Sequence, residues 1–267
     1  MRILNMHWDV SPELFSLGPF TVRWYGIFFA LSFLLGLWIM YWIFRRENKP
    51  KKDLDRLFCY AILGSVVGAR MGYCLFYNPE YYFSHPFEII KIWEGGLSSH
   101  GGGIGIFTAL YFYTRRQHGQ SFLWLLDRVT IPATLSGCFI RIGNLFNSEI
   151  VGIPTTVPWA FIFVRVDLLP RHPVQIYESI SYGLLFLLLL NVYRKRNTHM
   201  RHGVLLGLFL LVMPVVRFCF EFLKTRQASY DAELPLSIGQ CLCIPAIAIG
   251  VVLLLHKSGF NVIKEFE

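Results

Sequence analysis

Residues Gly26 to Phe44 read GIFFALSFLLGLWIMYWIF, without a single charge. A helix needs roughly 20 mostly apolar residues to cross a bilayer core of about 30 Å. This run meets that length, and six more follow at 57–77, 101–113, 129–143, 176–193, 203–223 and 234–255. The composition agrees. Of 267 residues 54% are hydrophobic and 16% charged, whereas soluble domains carry about 25% charged. The expectation is an all-α membrane protein of about seven transmembrane helices. It forms one integral membrane domain, 1–267, with an interfacial N-terminal segment, 1–24, and a small outer cap, 144–175.

The first twenty residues hold acids and a proline where a cleavable signal would be apolar, so the first run is expected to act as an uncleaved anchor. Basic residues set the orientation. Fourteen of the 25 Lys and Arg fall in RRENKPKKDLDR, TRRQHGQ, YRKRNTHMRH and the C-terminal tail, and seven in the alternate segments. Short cytoplasmic loops collect the excess. The N-terminus is then outside and the C-terminus inside. The formal charge of +8 is explained by these loops, so it does not argue for nucleic acid as a partner. Cys59, Cys74, Cys138, Cys219, Cys241 and Cys243 lie in or beside apolar runs with no metal-ligand spacing. They read as small buried hydrophobes, with no metal or cofactor implied.

Arg70, Arg141 and Arg217 lie within spans. Each costs about 2.5–3.5 kcal/mol at a helix centre unless it faces a partner or a wet cavity. All three are expected toward the outer side, where guanidinium suits an anion. The abundant anions of a bilayer are lipid phosphates, so a phospholipid is the implied substrate class. The bland alternative is an ion pair, and Arg217 and Glu221 are four apart on one helix face. Arg141, Asn144, Asn147 and Glu149 crowd the end of the fourth span beside Gly143 and Gly152, which reads as a lined pocket more than a plain cap.

EGGLSSHGGGIG, Glu94 to Gly105, places a histidine among glycines before the third span. His100 titrates near neutrality and suits proton removal from a thiol or hydroxyl. An interfacial histidine bonded to backbone is the equal alternative on residue type alone. The glycines favour His100 over His7, His85 and His172, because they permit close approach of a ligand. HGGG at 100–103 matches an esterase oxyanion motif, but no G-x-S-x-G accompanies it. LSGC at 135–138 looks like a lipobox and falls inside the fourth span, where it is taken as chance. An anion or lipid transporter also places arginines in broken helices, but the seven unequal runs show no internal repeat.

Taken together, RWYG (23–26), GARMGYCLFYN (68–78), WEGGLSSHGG (93–102), RIGNLFNSE (141–149), RHPVQIYE (171–178), VRFCFEF (216–222) and SIGQ (237–240) resemble the bacterial phosphatidylglycerol–prolipoprotein diacylglyceryl transferase family. The resemblance covers about Pro12 to Leu255. It implies transfer of a diacylglyceryl group from phosphatidylglycerol to the lipobox cysteine of a prolipoprotein signal peptide. A thioether forms and glycerol 1-phosphate leaves, without a cofactor, at the outer leaflet of the plasma (inner) membrane. It implies Arg141 and Arg217 for the phosphate and His100 as base. Arg70 is added as substrate-binding on its place in the span. Tyr25, Asn144, Glu149, Gly152 and Glu221 match positions that shape the site, and Tyr177 and Glu178 fall in a matching segment. The chain departs from the family pattern at Arg23, Ile140, Leu145 and Lys224. The last puts a third phosphate contact in doubt.

Overall fold

The computed structural model describes residues 6–18, 20–117, 120–196, 201–225 and 235–256. Eight α-helices dominate them: α1 (Trp24–Arg46), α2 (Lys51–Phe76), α3 (Pro79–Ser84), α4 (Ser99–Arg116), α5 (Phe122–Phe146), α6 (Val174–Arg196), α7 (Val204–Glu221) and α8 (Ile238–Leu255). Five of them, α1, α2, α5, α6 and α7, are long and apolar enough to cross a membrane. The remaining long pair, α4 and α8, have 18 residues each.

The chain forms two compact units, one of Met40–Leu126 and one of the residues on either side. In the Met40–Leu126 unit, α2 and α4 pack backbone against backbone. A Cβ on Gly64 would lie 2.6 Å from the Gly105 carbonyl oxygen, and one on Gly72 would lie 2.7 Å from the Gly101 Cα. Small residues four apart let membrane helices approach this closely. Two glycines of the stretch expected to admit a ligand, Gly101 and Gly105, are thus taken up by helix packing. α4 starts at Ser99, capped by the Ser98 hydroxyl, which accepts from the Gly101 amide at 3.3 Å. Gly101 and Gly105 face α2, while Gly103 meets nothing within 4 Å.

The same unit contains Arg70, which is 4% exposed. Its Nε donates to the Ile89 carbonyl (2.9 Å), Nη2 to that of Glu88 (2.6 Å), and Nη1 to those of Gly95 (2.5 Å) and Gly96 (3.3 Å). Its guanidinium also sits 5.1 Å from the Tyr82 ring centroid. Four carbonyl dipoles and a ring face compensate the buried charge.

In the other unit, α7 and α8 lie close at Gly207 and Gly250. A Cβ on Gly250 would be 2.7 Å from the Leu211 nitrogen. Asp127, fully buried on α5, accepts from the Gly203 amide (2.6 Å) and the Leu206 amide (2.9 Å). It thus satisfies orphan donors where α7 begins.

Outside the helices the described residues contain five short strands, which the helix-only reading did not anticipate. β2 (Glu13–Leu17) and β3 (Phe20–Arg23) form an antiparallel hairpin that runs into α1. β1 (Met6–Trp8) pairs in parallel with β4 (Phe161–Phe163), and β4 pairs antiparallel with β5 (Pro170–Arg171). Leu145, Val151, Phe161 and Phe163 form the core beneath this sheet, with Trp8 and Ile176 packed against them. The cysteines also differ from expectation. All six are free, but only Cys74 and Cys243 are buried, while Cys59, Cys219 and Cys241 are exposed. In helices whose outer faces are apolar, an apolar run does not imply a buried position.

Candidate active site

The end of α5 is built to turn. Ser148 and Ile150 have φ of 55° and 56°. The Glu149 amide bonds back to the Asn144 carbonyl at 2.9 Å, and the Trp8 indole donates to the Leu145 carbonyl at 3.0 Å. These bonds satisfy carbonyls that a helix C-terminus leaves without partners. The turn brings Glu149 back over the last turns of α5. The Asn144 amide donates to Glu149 Oε2 and the Asn147 amide to Glu149 Oε1, each at 3.2 Å.

Arg141 lies one turn earlier. Its Nη1 donates to Asn144 Oδ1 at 3.0 Å, and its Nε lies 3.0 Å from Glu178 Oε2. Glu178, on the second turn of α6, has no exposed side-chain surface. Its other oxygen accepts from Lys224 Nζ at 2.9 Å, and Lys224 Nζ also donates to Glu221 Oε2 at 2.9 Å. One fully buried and one partly exposed carboxylate thus alternate with two cations in a chain, Arg141–Glu178–Lys224–Glu221.

Several small residues make room for that chain. A Cβ on Gly143 would fall 2.8 Å from the Tyr25 ring, so Gly143 lets Tyr25 lie against α5. One on Gly239 would fall 2.9 Å from Glu221 Oε1, which lets the start of α8 close on that carboxylate. The N-terminal end of a helix favours a negative charge. Ser237 and Gln240 finish this end with a reciprocal capping box.

Gly152 has a related role. It pairs with Lys224 in an antiparallel bridge. The Ile153 amide donates to the Leu223 carbonyl at 2.8 Å, and the Thr225 amide to that of Val151 at 3.0 Å. A Cβ on Gly152 would come within 2.6 Å of His172 Cβ and 2.9 Å of the Leu223 oxygen. Its lack of a side chain seats the strand that carries Lys224. Arg171 braces the bridge by donating to the Gly152 carbonyl (2.9 Å) and the Thr225 hydroxyl (3.1 Å) while it pairs with Asp167.

Arg217 differs from the other cations. It lies on α7 within electrostatic range of Tyr182 and Cys243. Its Nε is buried without a hydrogen-bond partner, and among the described residues its guanidinium forms no ion pair. The pairing with Glu221 that its spacing permits does not form, because Glu221 is turned to Lys224.

Of the residues expected from sequence, Arg141, Asn144 and Glu149 are linked by hydrogen bonds, and Tyr25 lies beside them. Glu221 joins through Lys224 and Glu178. Arg70 is in the other unit, held by carbonyls. His100 occupies the first turn of α4, and its side chain lies outside the described ones. Glu178 and Lys224, the centre of the chain, had no site role in the sequence reading. One signal was available for Glu178: a carboxylate inside the apolar run at 176–193 carries the same cost that singled out the arginines.

Comparison with known proteins agrees with the motif resemblance. Residues 12–256 match the family described as prolipoprotein diacylglyceryl transferase. A protein of Chloroherpeton thalassium is 60% identical over 250 residues, covering 94% of this chain and 93% of its own length. One from Tolumonas auensis is 49% identical over 253 residues, covering 95% and 98%. A third, from Bacteroides fragilis, is 37% identical over 261 residues, covering 93% and 94%. Each bears the name phosphatidylglycerol–prolipoprotein diacylglyceryl transferase.

Proposed function

The chain belongs to the prolipoprotein diacylglyceryl transferase family, and we propose that its Arg141–Glu178–Lys224–Glu221 chain frames the phosphate site of that reaction, with Arg217 as the unpaired cation. The protein is an enzyme of the first step of lipoprotein maturation. In the proposed step the lipobox cysteine loses its proton and its sulfur attacks the glyceryl carbon of phosphatidylglycerol. The carbon–oxygen bond to phosphate breaks, the electron pair leaves with the oxygen, and glycerol 1-phosphate departs as the thioether forms.

The observation that carries this reading is the buried, unpartnered Nε of Arg217. A guanidinium without a carboxylate is costly at membrane depth. A phosphodiester supplies the missing charge and accepts from the fork. Arg141 is aimed from behind by Glu178 and Asn144 and assists. As charge grows on the leaving oxygen, both cations stabilise it more than they stabilise the bound lipid, which is what accelerates a reaction.

A thiol has a pKa near 8.5 and needs a proton acceptor to attack well. His100 takes that role in this reading, supported by its residue type and by the matching motif. Tyr25, Asn144, Glu149 and Glu221 shape the site, and Gly152 does so through the strand it seats. Arg70 is kept as a substrate-binding residue on its place in the span alone.

Seven spans with the N-terminus outside complete the reading, α4 and α8 joining the five helices named above. At 1.5 Å per residue an 18-residue helix is about 27 Å long, close to a bilayer core. The last turns of α1, α4 and α6 carry Arg45 and Arg46, Arg115 and Arg116, and Arg194 to Arg196 with Lys195. Alternate helices ending in basic residues support one cytoplasmic side. A multi-pass protein of the plasma membrane, with a small outer cap at 144–175, follows.

The test is mass spectrometry of a lipobox peptide incubated with phosphatidylglycerol and the purified protein. A gain of one diacylglyceryl unit on cysteine is expected, and Arg217→Ala and Arg141→Ala should each abolish most of it. An unmodified peptide rejects the transferase reading, and full turnover in both variants rejects the phosphate assignment.

A further inference from the structure

One polar cluster in the outer segments is not used by the reading above. Trp159 Nε1 donates to the Tyr177 hydroxyl oxygen at 2.8 Å, and that oxygen lies 3.2 Å from His172 Nδ1. Indole N–H can only donate, so Tyr177 accepts there. The phenolic proton then needs an acceptor of its own. Among the described residues, His172 Nδ1 is the one within reach, and taking that proton requires a bare nitrogen. The arrangement that partners every donor therefore puts the proton of the neutral ring on Nε2. The three groups form a one-way series, Trp159 to Tyr177 to His172, that ends in an N–H with no protein acceptor among the described residues.

The residues of this series are joined to the elements that carry the charged chain. Tyr177 immediately precedes Glu178, and its ring packs on Phe220 of α7 at 5.8 Å between centroids. Phe220 lies three residues beyond Arg217, on the same helix face. From the other side the His172 carbonyl accepts from the Gly152 amide at 3.1 Å, and Gly152 is bridged to Lys224. His172 is partly buried.

We propose that His172 is a hydrogen-bond donor to the phosphate end of the lipid, its Nε2–H aimed by Tyr177 and Trp159. This rests on the phosphate reading above and deepens it. No proton changes hands. The N–H strengthens its bond as negative charge collects on the leaving oxygen, while the thiol proton goes elsewhere. A neutral donor next to cations adds directionality without raising the positive charge of a site already holding Arg141, Arg217 and Lys224.

The experiment uses the full chain in nanodiscs, with glycerol 1-phosphate as the probe. In 15N-histidine spectra, assigned by loss of one signal in His172→Gln, neutral His172 should carry its proton on Nε2. Added glycerol 1-phosphate should shift that proton, and Tyr177→Phe should release the tautomer preference. His172→Leu should weaken inhibition by glycerol 1-phosphate on the order of tenfold and lower kcat, the effect of losing a hydrogen bond to a charged group. His172→Gln, whose amide still donates, should recover part of both. A proton found on Nδ1 overturns the proposal. So does inhibition unchanged in His172→Leu while Arg217→Ala weakens it. If Arg217→Ala also leaves inhibition unchanged, the phosphate reading itself falls and takes this one with it.

Discussion

Replacing Glu178 with glutamine removes one negative charge and almost no volume. In the native protein that carboxylate is fully buried between Arg141 Nε at 3.0 Å and Lys224 Nζ at 2.9 Å. Breaking a buried pair by removing one partner costs about 3–5 kcal/mol, since the other charge is stranded. Lys224 keeps Glu221 at 2.9 Å, so only Arg141 loses its carboxylate. That argues for the lower end, about 3 kcal/mol, or on the order of a hundredfold in the folded-to-unfolded ratio. The assay is unfolding by SDS titration in mixed micelles. Glu178→Gln combined with Arg141→Leu removes both partners and should regain more than half of the lost stability, because an apolar replacement of a buried pair is often neutral. Turnover should stay lost in the double variant. A single variant within about 1 kcal/mol of the parent would refute the reasoning, as would a double variant that loses the sum of the two singles.

The remaining predictions concern other parts of the molecule. Gly64→Val should separate α2 from α4, because its Cβ would fall 2.6 Å from the Gly105 carbonyl oxygen; the loss, about 1–3 kcal/mol or more as in other overpacked contacts, is read as a lowered unfolding midpoint. Arg70→Lys should fail to replace Arg70, since an ammonium cannot reach four carbonyls set for a planar fork; proteolysis within 88–96 should rise in the lysine and alanine variants alike. Arg171 holds the Asp167 carboxyl below the usual carboxylate range, with its hydrogen bond the main cause. The folded value is depressed, so this stabilisation is complete above the unfolded value of about 3.9 and is lost as pH falls through the folded one. Protease sensitivity of the 152–172 segment should therefore rise on acidification in the native protein and change less in Asp167→Asn.

Local chemistry made some of the site legible in the sequence. Arg141, Asn144 and Glu149 sit within nine residues at a helix end, and their types already suggest a pocket. Glu178 was hidden because its partners are 37 residues before it and 46 after it in Arg141 and Lys224. No local spacing reports such a pair. The strands were hidden for a similar reason. β1 is three residues long and pairs with β4 more than 150 residues away, too short a run for alternation to be read. The glycines of 101–105 were visible, but a sequence does not say whether a bare backbone meets a ligand or another helix. Gly64, Gly68 and Gly72, at the same spacing of four on α2, were the sign that it was a helix.

The departure at Lys224 now has a physical reading. Where the family commonly has arginine, this chain has an ammonium, and the sequence left open whether a third phosphate contact was lost. Lys224 Nζ lies 2.9 Å from one oxygen of Glu178 and 2.9 Å from one of Glu221. A compact point charge with three donors suits two separate carboxylates, whereas a planar fork suits both oxygens of one. Lys224 is therefore committed to protein carboxylates. Among the described residues Arg217 is the cation of this group that forms no ion pair with a carboxylate. In the proposed phosphate site the free cation is Arg217 on α7, so a lysine at 224 suffices.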